Sequence, residues 1–468
     1  RAFEWAEMRR ELRYREALSP GYFMRTTREL VDQADIDRGR VCYERLYKVG
    51  RLLFEHEFNF ADGLGREDAK TREDPFRRVQ KGRLGGPETN TCSSCHWRGG
   101  PAGAGAVQDN SFLFGDGANT SSADERNPPA LQGVGVAQLV AQEMSSELQA
   151  QMALAMIDAR REGEAIRIPL EAKGISFGHL TLLPNGMVDS SELDGVDDDL
   201  VIKPFGWRGD AATLRDFVEH SAQVHLGIQS DDLILHNIRL EDPIGSGPMW
   251  DPDRDGVVGE LSAGQLTALI TYLASLELPV VHAPKVLREF EAPAEHLGAP
   301  VAHNFYERFD EGRQLFDDIG CAQCHVPMVV LKNPVFRSRS RVSGELLELD
   351  LSKVGEAPRL AYNEELGGYP VWLFSDMKRH DLGEENAGQH PEAGIGASEY
   401  LTRRLWGLAK SGPYFYDGRA PNFDAAIMAH GGEGAFAREG WTELDRGEQA
   451  SLRLYLFSLQ RSARPIVP

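Results

Sequence analysis

The sequence predicts a mainly α-helical protein built from two similar halves. A Cys-x-x-Cys-His motif occurs twice, over residues 92–96 and 321–325. Each motif follows a Gly-Arg-x-Leu-Phe segment and precedes a stretch whose apolar residues recur every three or four positions, as in a helix packed on one face. Segments that alternate apolar and polar residues, as half-buried strands do, are scarce. The repeat therefore indicates two related helical domains.

The duplicated motif is the attachment signature of c-type haem. Each thiol adds to a haem vinyl group, and the adjoining histidine becomes the proximal iron ligand. The two motifs use four of the five cysteines, and each pair carries its own histidine, which all-cysteine zinc sites do not need. We therefore expect two covalent haems. The residues expected to hold them are Cys92, Cys95, His96, Cys321, Cys324 and His325.

Each half is predicted to be a cytochrome c-like domain with one haem and long loop additions. The opening helices contain residues 50–54 and 312–316, and the closing helices span residues 266–276 and 449–459. Prolines between residues 279 and 300 indicate a linker. The predicted parts are a helical N-terminal extension over 1–44, a domain with the first, catalytic haem over 45–285, and a domain with the second, electron-transfer haem over 286–468.

The net charge of the chain and the place where its haems would be attached limit its expected partners and location. The formal net charge of −21 disfavours nucleic acid, whose backbone it would repel, and suits a basic redox protein. No apolar run approaches the roughly 20 residues that a membrane helix needs. Because haem attachment of this kind occurs outside the cytosol, we expect a periplasmic or secreted protein whose signal peptide has been removed.

The function depends on the sixth position of each iron. A second strong ligand makes an electron carrier, whereas an open face allows catalysis. For the second haem the candidate is His430, which follows the segment 412–421 and precedes two glycines. Met428 is the competing side chain, but two positions away on a helix it would face elsewhere.

The segment Pro-Tyr-Phe-Tyr-Asp-Gly-Arg-Ala-Pro over residues 413–421 resembles the one that delivers the distal ligand of the electron-accepting haem in bacterial di-haem cytochrome c peroxidases and methylamine-utilisation di-haem enzymes. The His-Gly-Gly-Glu sequence that follows is similar to the di-haem oxidoreductase branch, to which haem rubber oxygenases are also similar. The resemblance covers roughly residues 45–465. It implies a peroxidase-type oxidoreductase with a low-spin second haem, ligated by His325 and His430.

For the first haem, the internal repeat aligns residues 203–217 with the same segment of the second half. This alignment places Ser221, a poor iron ligand, opposite His430. His220 and His225 flank it, and His225 lies one helical turn further along.

Two interpretations of this helix remain open. The resembling family usually has an acid/base glutamate where His225 stands, so His225 is either an acid/base over an open iron or a sixth ligand that closes it, with His220 as the second choice for that ligand. Over an open iron, His225 would move a proton between the two oxygens of peroxide. Trp207 is a candidate relay for electrons between the haems.

Three functions follow from these interpretations. The first is a peroxidase-type oxidoreductase that uses hydrogen peroxide and receives electrons from a small redox protein or a small-molecule donor. The second is an oxygenase that cleaves an alkene with O2. The third is a non-catalytic electron-transfer cytochrome with both irons six-coordinate.

Two places suggest calcium. The loop with Asp251, Asp253 and Asp255 has the spacing that arranges carboxylates around Ca²⁺, although Ser262 stands where an EF-hand has its bidentate glutamate. Asn127 lies in an Arg-Asn-Pro-Pro-Ala-Leu segment similar to one whose asparagine helps to hold a calcium between the haems of the resembling family.

Overall fold

The computed structural model describes residues 2–65, 79–80, 83–84, 87–115, 119–240, 257, 259–281 and 305–461. None of the helices in these ranges is long and apolar enough to cross a membrane. In the described residues the helices are α1 (Ala2–Leu18), α2 (Tyr22–Leu30), α3 (Gln33–Asp37), α4 (Tyr43–Phe54), α5 (Cys92–Cys95), α6 (Val134–Glu162), α7 (Leu214–Ser221), α8 (Asp231–Leu240), α9 (Ala263–Ala274), α10 (Phe305–Asp318), α11 (Cys321–Cys324), α12 (Phe423–Met428), α13 (Ala435–Glu443) and α14 (Arg446–Phe457).

The strands of the described residues are short. They are β1 (Val79–Gln80), β2 (Arg83–Leu84), β3 (Ser111–Leu113), β4 (Asp124–Arg126), β5 (Ile166–Ala172), β6 (Ile175–Leu182), β7 (Val188–Asp189), β8 (Val280–Val281), β9 (Val329–Leu331), β10 (Val335–Arg339), β11 (Leu346–Asp350), β12 (Tyr369–Val371), β13 (Arg379–Asp381), β14 (Glu399–Leu401) and β15 (Leu459–Gln460).

The prediction of a mainly α fold with two cytochrome c-like domains is wrong. Within the described residues the strands form six two-stranded sheets and one three-stranded sheet, so the fold is mixed α/β. The largest sheet joins β5, β6 and β7 in antiparallel order. Most of the other strands span only two or three residues, which is too short for an alternating pattern to be recognised in the sequence.

The chain forms two compact units that interleave in sequence. Unit 1 comprises Arg1–Leu131, Leu214–Leu276 and Val335–Asp350, and it contains the first Cys-x-x-Cys-His motif. Unit 2 contains the second motif, and its segments are Gln132–Thr213, Glu277–Pro334 and Leu351–Pro468. The domain limits given above stay a prediction.

The repeated Gly-Arg-x-Leu-Phe segment marks a close crossing of two helices in each unit. In unit 1, a Cβ atom added to Gly50 of α4 would lie 1.9 Å from the backbone oxygen of Ala268 in α9. In unit 2, a Cβ atom added to Gly312 of α10 would lie 2.0 Å from the backbone oxygen of Ser451 in α14. Only glycine allows the two backbones to approach this closely.

The phenylalanine of the same segment meets a tyrosine of the closing helix in both units. The ring centres of Phe54 and Tyr272 are 5.4 Å apart, and those of Phe316 and Tyr455 are 5.5 Å apart. In unit 1, Phe54 also lies 6.3 Å from the ring of the motif histidine His96. In unit 1 the helix pair therefore packs against the histidine of the motif.

A buried ion cluster anchors α7, the helix that precedes His225. Glu219, 2% exposed, pairs with Arg341 and accepts a hydrogen bond from Ser230 Oγ at 2.9 Å. The Arg215 guanidinium lies 2.7 Å from the Asp232 carboxylate. Burial raises the pKa of Glu219 to about 7, although the charge of Arg341 opposes the shift.

We expect Gly50→Ala and Gly312→Ala each to lower the free energy of unfolding by about 1–3 kcal/mol or more, because the new methyl group would overlap a backbone carbonyl. Denaturant unfolding measures the effect. Gly447→Ala, in the first turn of α14, is the control, because its Cβ atom would meet only the ends of two side chains, Asp445 Oδ1 at 3.1 Å and Arg308 Nη2 at 3.9 Å. Equal stability of Gly312→Ala and Gly447→Ala would contradict the close crossing.

We also expect Glu219 to make stability depend on pH. The unfolded carboxyl loses its proton near the ordinary pKa of 4.5 and the folded one near 7. Between these values the folded state binds more protons, so the contribution of Glu219 to stability is full below pH 4.5 and is lost as the pH rises to 7.

The test compares wild type with Glu219→Gln, whose side chain is neutral at every pH. Relative to this variant, the free energy of unfolding of the wild type should fall by about 3 kcal/mol at most across the range. Glu192→Gln is the control, because the hydrogen bond from Arg167 lowers the pKa of Glu192 and gives the opposite sign. A difference between wild type and Glu219→Gln that stays constant with pH would show that Glu219 does not behave in this way.

Candidate haem and active sites

Each Cys-x-x-Cys pair forms one short helical turn that leads into its histidine. Helix α5 carries Cys92 and Cys95, and α11 carries Cys321 and Cys324. All four are free thiols, and residues three apart lie on the same side of a helix. Two sulfurs on one side, followed at once by an imidazole, fit the attachment of one haem at each turn. We call these places the first and the second haem site.

Backbone carbonyls fix the tautomer of both motif histidines. The Nδ1 atom of His96 lies 3.0 Å from the carbonyl oxygen of Pro129 and 3.3 Å from that of Gly103. The Nδ1 atom of His325 lies 3.1 Å from the carbonyl oxygen of Phe374. Because a carbonyl can only accept, Nδ1 carries the proton and Nε2 keeps its lone pair. Histidines that bind metals are commonly oriented in this way.

Burial keeps both imidazoles neutral. It lowers the pKa of His96 to about 4 and that of His325 to about 4, in spite of the carbonyl hydrogen bonds, which act in the opposite direction. At neutral pH each ring therefore offers an unprotonated Nε2, which is the form that binds iron.

At the second haem site, a second imidazole faces the motif histidine. The ring centres of His325 and His430 are 6.3 Å apart, and their planes make an angle of 67°. Metal–imidazole bonds are about 2 Å long and the ring centre lies about 1 Å behind the nitrogen, so two imidazoles on one metal ion have centres about 6 Å apart. The spacing of His325 and His430 fits one iron between them. Met428, the competing candidate, is 46% exposed.

Local structure holds His430 in this position. The side chain of Asn422 accepts the Ala425 N–H and caps α12, which ends at Met428. The Nδ1 atom of His430 then lies 2.8 Å from the carbonyl oxygen of Ala426. Like the motif histidines, His430 therefore has its Nδ1 proton fixed by a carbonyl, and its Nε2 is available to a metal.

The backbone reproduces the internal repeat that relates the two distal segments. An isolated antiparallel bridge joins residues 205 and 211 in one segment and residues 414 and 420 in the other. Both Gly209 and Gly418 have a positive φ, of 66° and 74°. The same offset relates Ser221 to His430, so the two segments diverge only beyond this point.

Beyond Ser221 the chain forms a π-helix, Ala222–Leu226, which contains His225. Single π-turns within helices are rare and often lie at functional sites. His220, one residue before Ser221, is exposed. The π-helix therefore distinguishes His225 from His220.

His225 is hydrogen-bonded to a carboxylate. Its Nδ1 atom lies 2.5 Å from Oε2 of Glu88, and the two side chains are 33% and 8% exposed. The other carboxylate oxygen accepts the Phe112 N–H at 2.9 Å, and the Glu88 N–H donates to the carbonyl of His225 at 2.9 Å. Glu88 is thereby fixed in place and orients the imidazole.

His225 lies close to the first haem site, but it is not placed against His96 as His430 is against His325. Burial is the main cause of the low pKa of His96, and the charge of His225 adds to it. In the part of the chain that the structure describes, the ring of His96 meets Phe54 and makes no ring contact with His225. The two haem sites therefore differ. At the second site His430 is paired with the motif histidine, whereas at the first site His225 is hydrogen-bonded to Glu88 instead.

The other predicted site residues lie as follows. The ring of Trp207 in unit 2 is stacked under the guanidinium of Arg403, at 4.6 Å. Asn127, 3% exposed, donates through Nδ2 to Oδ1 of Asn110 at 2.8 Å. The candidate calcium ligands of the acidic loop lie outside the described residues; these are Asp251, Asp253 and Asp255.

Sequence reasoning missed two groups. Glu88 stands only four residues before Cys92 but belongs to no motif. His380 lies 2.8 Å from Asp376 and 2.7 Å from Glu433, beside the sulfur of Cys324. Burial alone would lower the pKa of His380, but hydrogen bonds to Asp376 and Cys324 outweigh burial and raise the pKa to about 11.

Comparison with known proteins supports a relationship to a haem enzyme family. Residues 290–459 match the family model described as "Di-haem oxidoreductase, putative peroxidase". The matched range contains the second Cys-x-x-Cys-His motif and His430. No curated protein matches the chain. The match supports an oxidoreductase of the di-haem family and, through the family's name, two haems.

Proposed function

We propose that this protein is a di-haem c-type oxidoreductase of peroxidase type, which reduces hydrogen peroxide or uses it to oxidise a substrate at the first haem site. The observation that carries the proposal is the difference between the two sites. His430 faces His325 at the spacing of two ligands on one iron, whereas His225 makes no such ring pair with His96 and is bound to a carboxylate. One site is suited to electron transfer and the other to catalysis.

At the second haem site, His325 and His430 would both bind the iron. Two imidazoles, each oriented through its Nδ1 hydrogen bond, would hold this iron in a fixed arrangement, so little rearrangement would accompany electron transfer. Trp207 remains a proposed relay residue, because a tryptophan ring can carry an electron in steps. Cys321 and Cys324 would attach this haem, and Cys92 and Cys95 would attach the other.

At the first haem site, His96 would bind the iron from one side and His225 would move the proton. The haem, when bound, would supply the redox chemistry that cleaves peroxide. The Nε2 atom of His225 would take a proton from peroxide and give it to the oxygen that leaves as water when the O–O bond breaks, and the two electrons for this cleavage would come from the haem and then be replaced by the donor. Glu88 holds Nδ1 and stabilises the imidazolium while it carries the extra proton.

The proposal includes a location outside the cytosol and a partner. Haem attachment through Cys-x-x-Cys-His supports a periplasmic or secreted protein. The net charge of −21 supports a basic redox protein as electron donor, and a small-molecule donor would serve equally.

We expect His225→Ala to lower the second-order rate constant for hydrogen peroxide by about 10²–10⁴, the usual contribution of a general acid/base. Stopped-flow absorbance measures it in the oxidised and in the half-reduced protein. Glu88→Gln should cause a smaller loss, because the imidazole keeps its place but loses the carboxylate. His220→Ala is the comparison and should change the rate constant less than about twofold, since His220 is exposed.

Two outcomes would contradict the proposal. If His225→Ala reacts as fast as wild type while both haems are present, His225 is not the acid/base. If wild type is inert to peroxide in both redox states, the protein is an electron carrier or an O2-dependent oxygenase; oxygen uptake with an alkene substrate distinguishes these two.

A further inference from the structure

Among the described residues, two arginines of unit 2 have no carboxylate partner. Arg403 donates to the carbonyl of Gly206 at 3.2 Å and Arg404 to that of Pro204 at 2.9 Å. In this part of the chain neither guanidinium forms an ion pair with an acidic side chain. Each lies instead against an indole ring, Arg403 at 4.6 Å and Arg404 at 5.5 Å.

Both arginines are half-buried. Burial lowers the pKa of Arg403 to about 10, and burial together with the charge of Arg403 lowers that of Arg404 to about 9. Other buried arginines of unit 2 have the partner that these two lack, as Arg461 pairs with Glu277. An unpaired buried charge is strongly destabilising. We therefore expect an anion that is not part of the polypeptide to neutralise Arg403 and Arg404.

The adjoining residue gives independent evidence for a ligand. Thr402 is 7% exposed, and its buried Oγ1 has no hydrogen-bond partner among the residues that the structure describes. Its carbonyl accepts the hydroxyl of Ser375 at 2.7 Å. Ser375 follows Phe374, whose carbonyl accepts the Nδ1 proton of His325. The Thr402 hydroxyl and the guanidiniums of Arg403 and Arg404 therefore belong to a segment that is hydrogen-bonded to Ser375, next to the residue that orients His325.

We propose that Arg403, Arg404 and the Thr402 hydroxyl bind the two propionate carboxylates of the haem in unit 2. The inference rests on the haem proposed above. The planar guanidinium fork matches a carboxylate and forms charge-assisted hydrogen bonds with it. Haem has two such carboxylates, and the segment offers two guanidiniums and one hydroxyl. The residues bind and orient the group through its propionates, and they take no part in proton transfer.

The arginines would also raise the reduction potential of this haem. Reduction adds one negative charge to the haem, so a nearby positive charge that water does not screen favours the reduced state. Removing the charge should therefore lower the potential of the second haem and leave that of the first less affected.

The test is the potential of each haem in Arg403→Gln, Arg404→Gln and the double variant, by spectroelectrochemistry with haem content measured in the same samples. We expect the double variant to lower the reduction equilibrium constant of the low-spin haem about tenfold, which is 59 mV for one electron. Arg403→Lys and Arg404→Lys keep the charge and should recover most of the potential even if the glutamine variants fold poorly. Arg167→Gln, whose partner is the exposed Glu192, is the matched control and should change neither potential.

Titration with inorganic phosphate distinguishes propionates from a free anion. With propionates bound, the potential of wild type should not depend on phosphate at constant ionic strength. A phosphate-dependent potential that is lost in the double variant would show a free-anion site and overturn the proposal. So would unchanged potentials in all variants. Haem content and reduction potential are measured without peroxide. A protein that does not react with peroxide would therefore contradict the peroxidase proposal and leave the propionate proposal unaffected.

Discussion

Both proposed haem sites depend on backbone carbonyls that fix the Nδ1 proton of the histidines proposed to bind iron. His96, His325 and His430 each donate from Nδ1 to such a carbonyl. The hydrogen bond sets the tautomer and the direction of Nε2, and burial keeps the motif rings neutral. The acceptors of His96 and His325 lie 33 and 49 residues along the chain, so these two rings are oriented only when their unit has folded. His430 is oriented locally, by the carbonyl four residues before it.

The same close helix crossing supports the fold of each unit, at Gly50 in unit 1 and at Gly312 in unit 2. In both units it brings the phenylalanine of the opening helix onto the tyrosine of the closing helix. The functional difference arises beyond this common support. One distal segment ends in His430, opposite its motif histidine, and the other continues into a π-helix that pairs His225 with Glu88.

Features that are repeated in the sequence could be predicted from it, because the repeat shows which residues the two halves have in common. The helix pairs and the two motifs are of this kind. His430 was predicted from the family resemblance instead, because the repeat places Ser221 opposite it. Glu88 and His380 could not be found, since each acquires its partner only through the fold, across long stretches of chain. The mixed α/β character was missed for a different reason: short strands such as β9 and β12 pair with distant residues and carry too few positions to show a period. Arg403 and Arg404 could not be recognised from the sequence either, because only the fold shows that they are half-buried without a carboxylate partner among the described residues.

Low-temperature EPR of the ferric protein tests whether His325 and His430 bind one iron. The measurement compares wild type, His430→Ala and Met428→Ala, with haem quantified in each sample. We expect a low-spin signal in wild type and in Met428→Ala. In His430→Ala a high-spin signal should replace it, with two haems per chain retained. A low-spin signal unchanged by His430→Ala would contradict it.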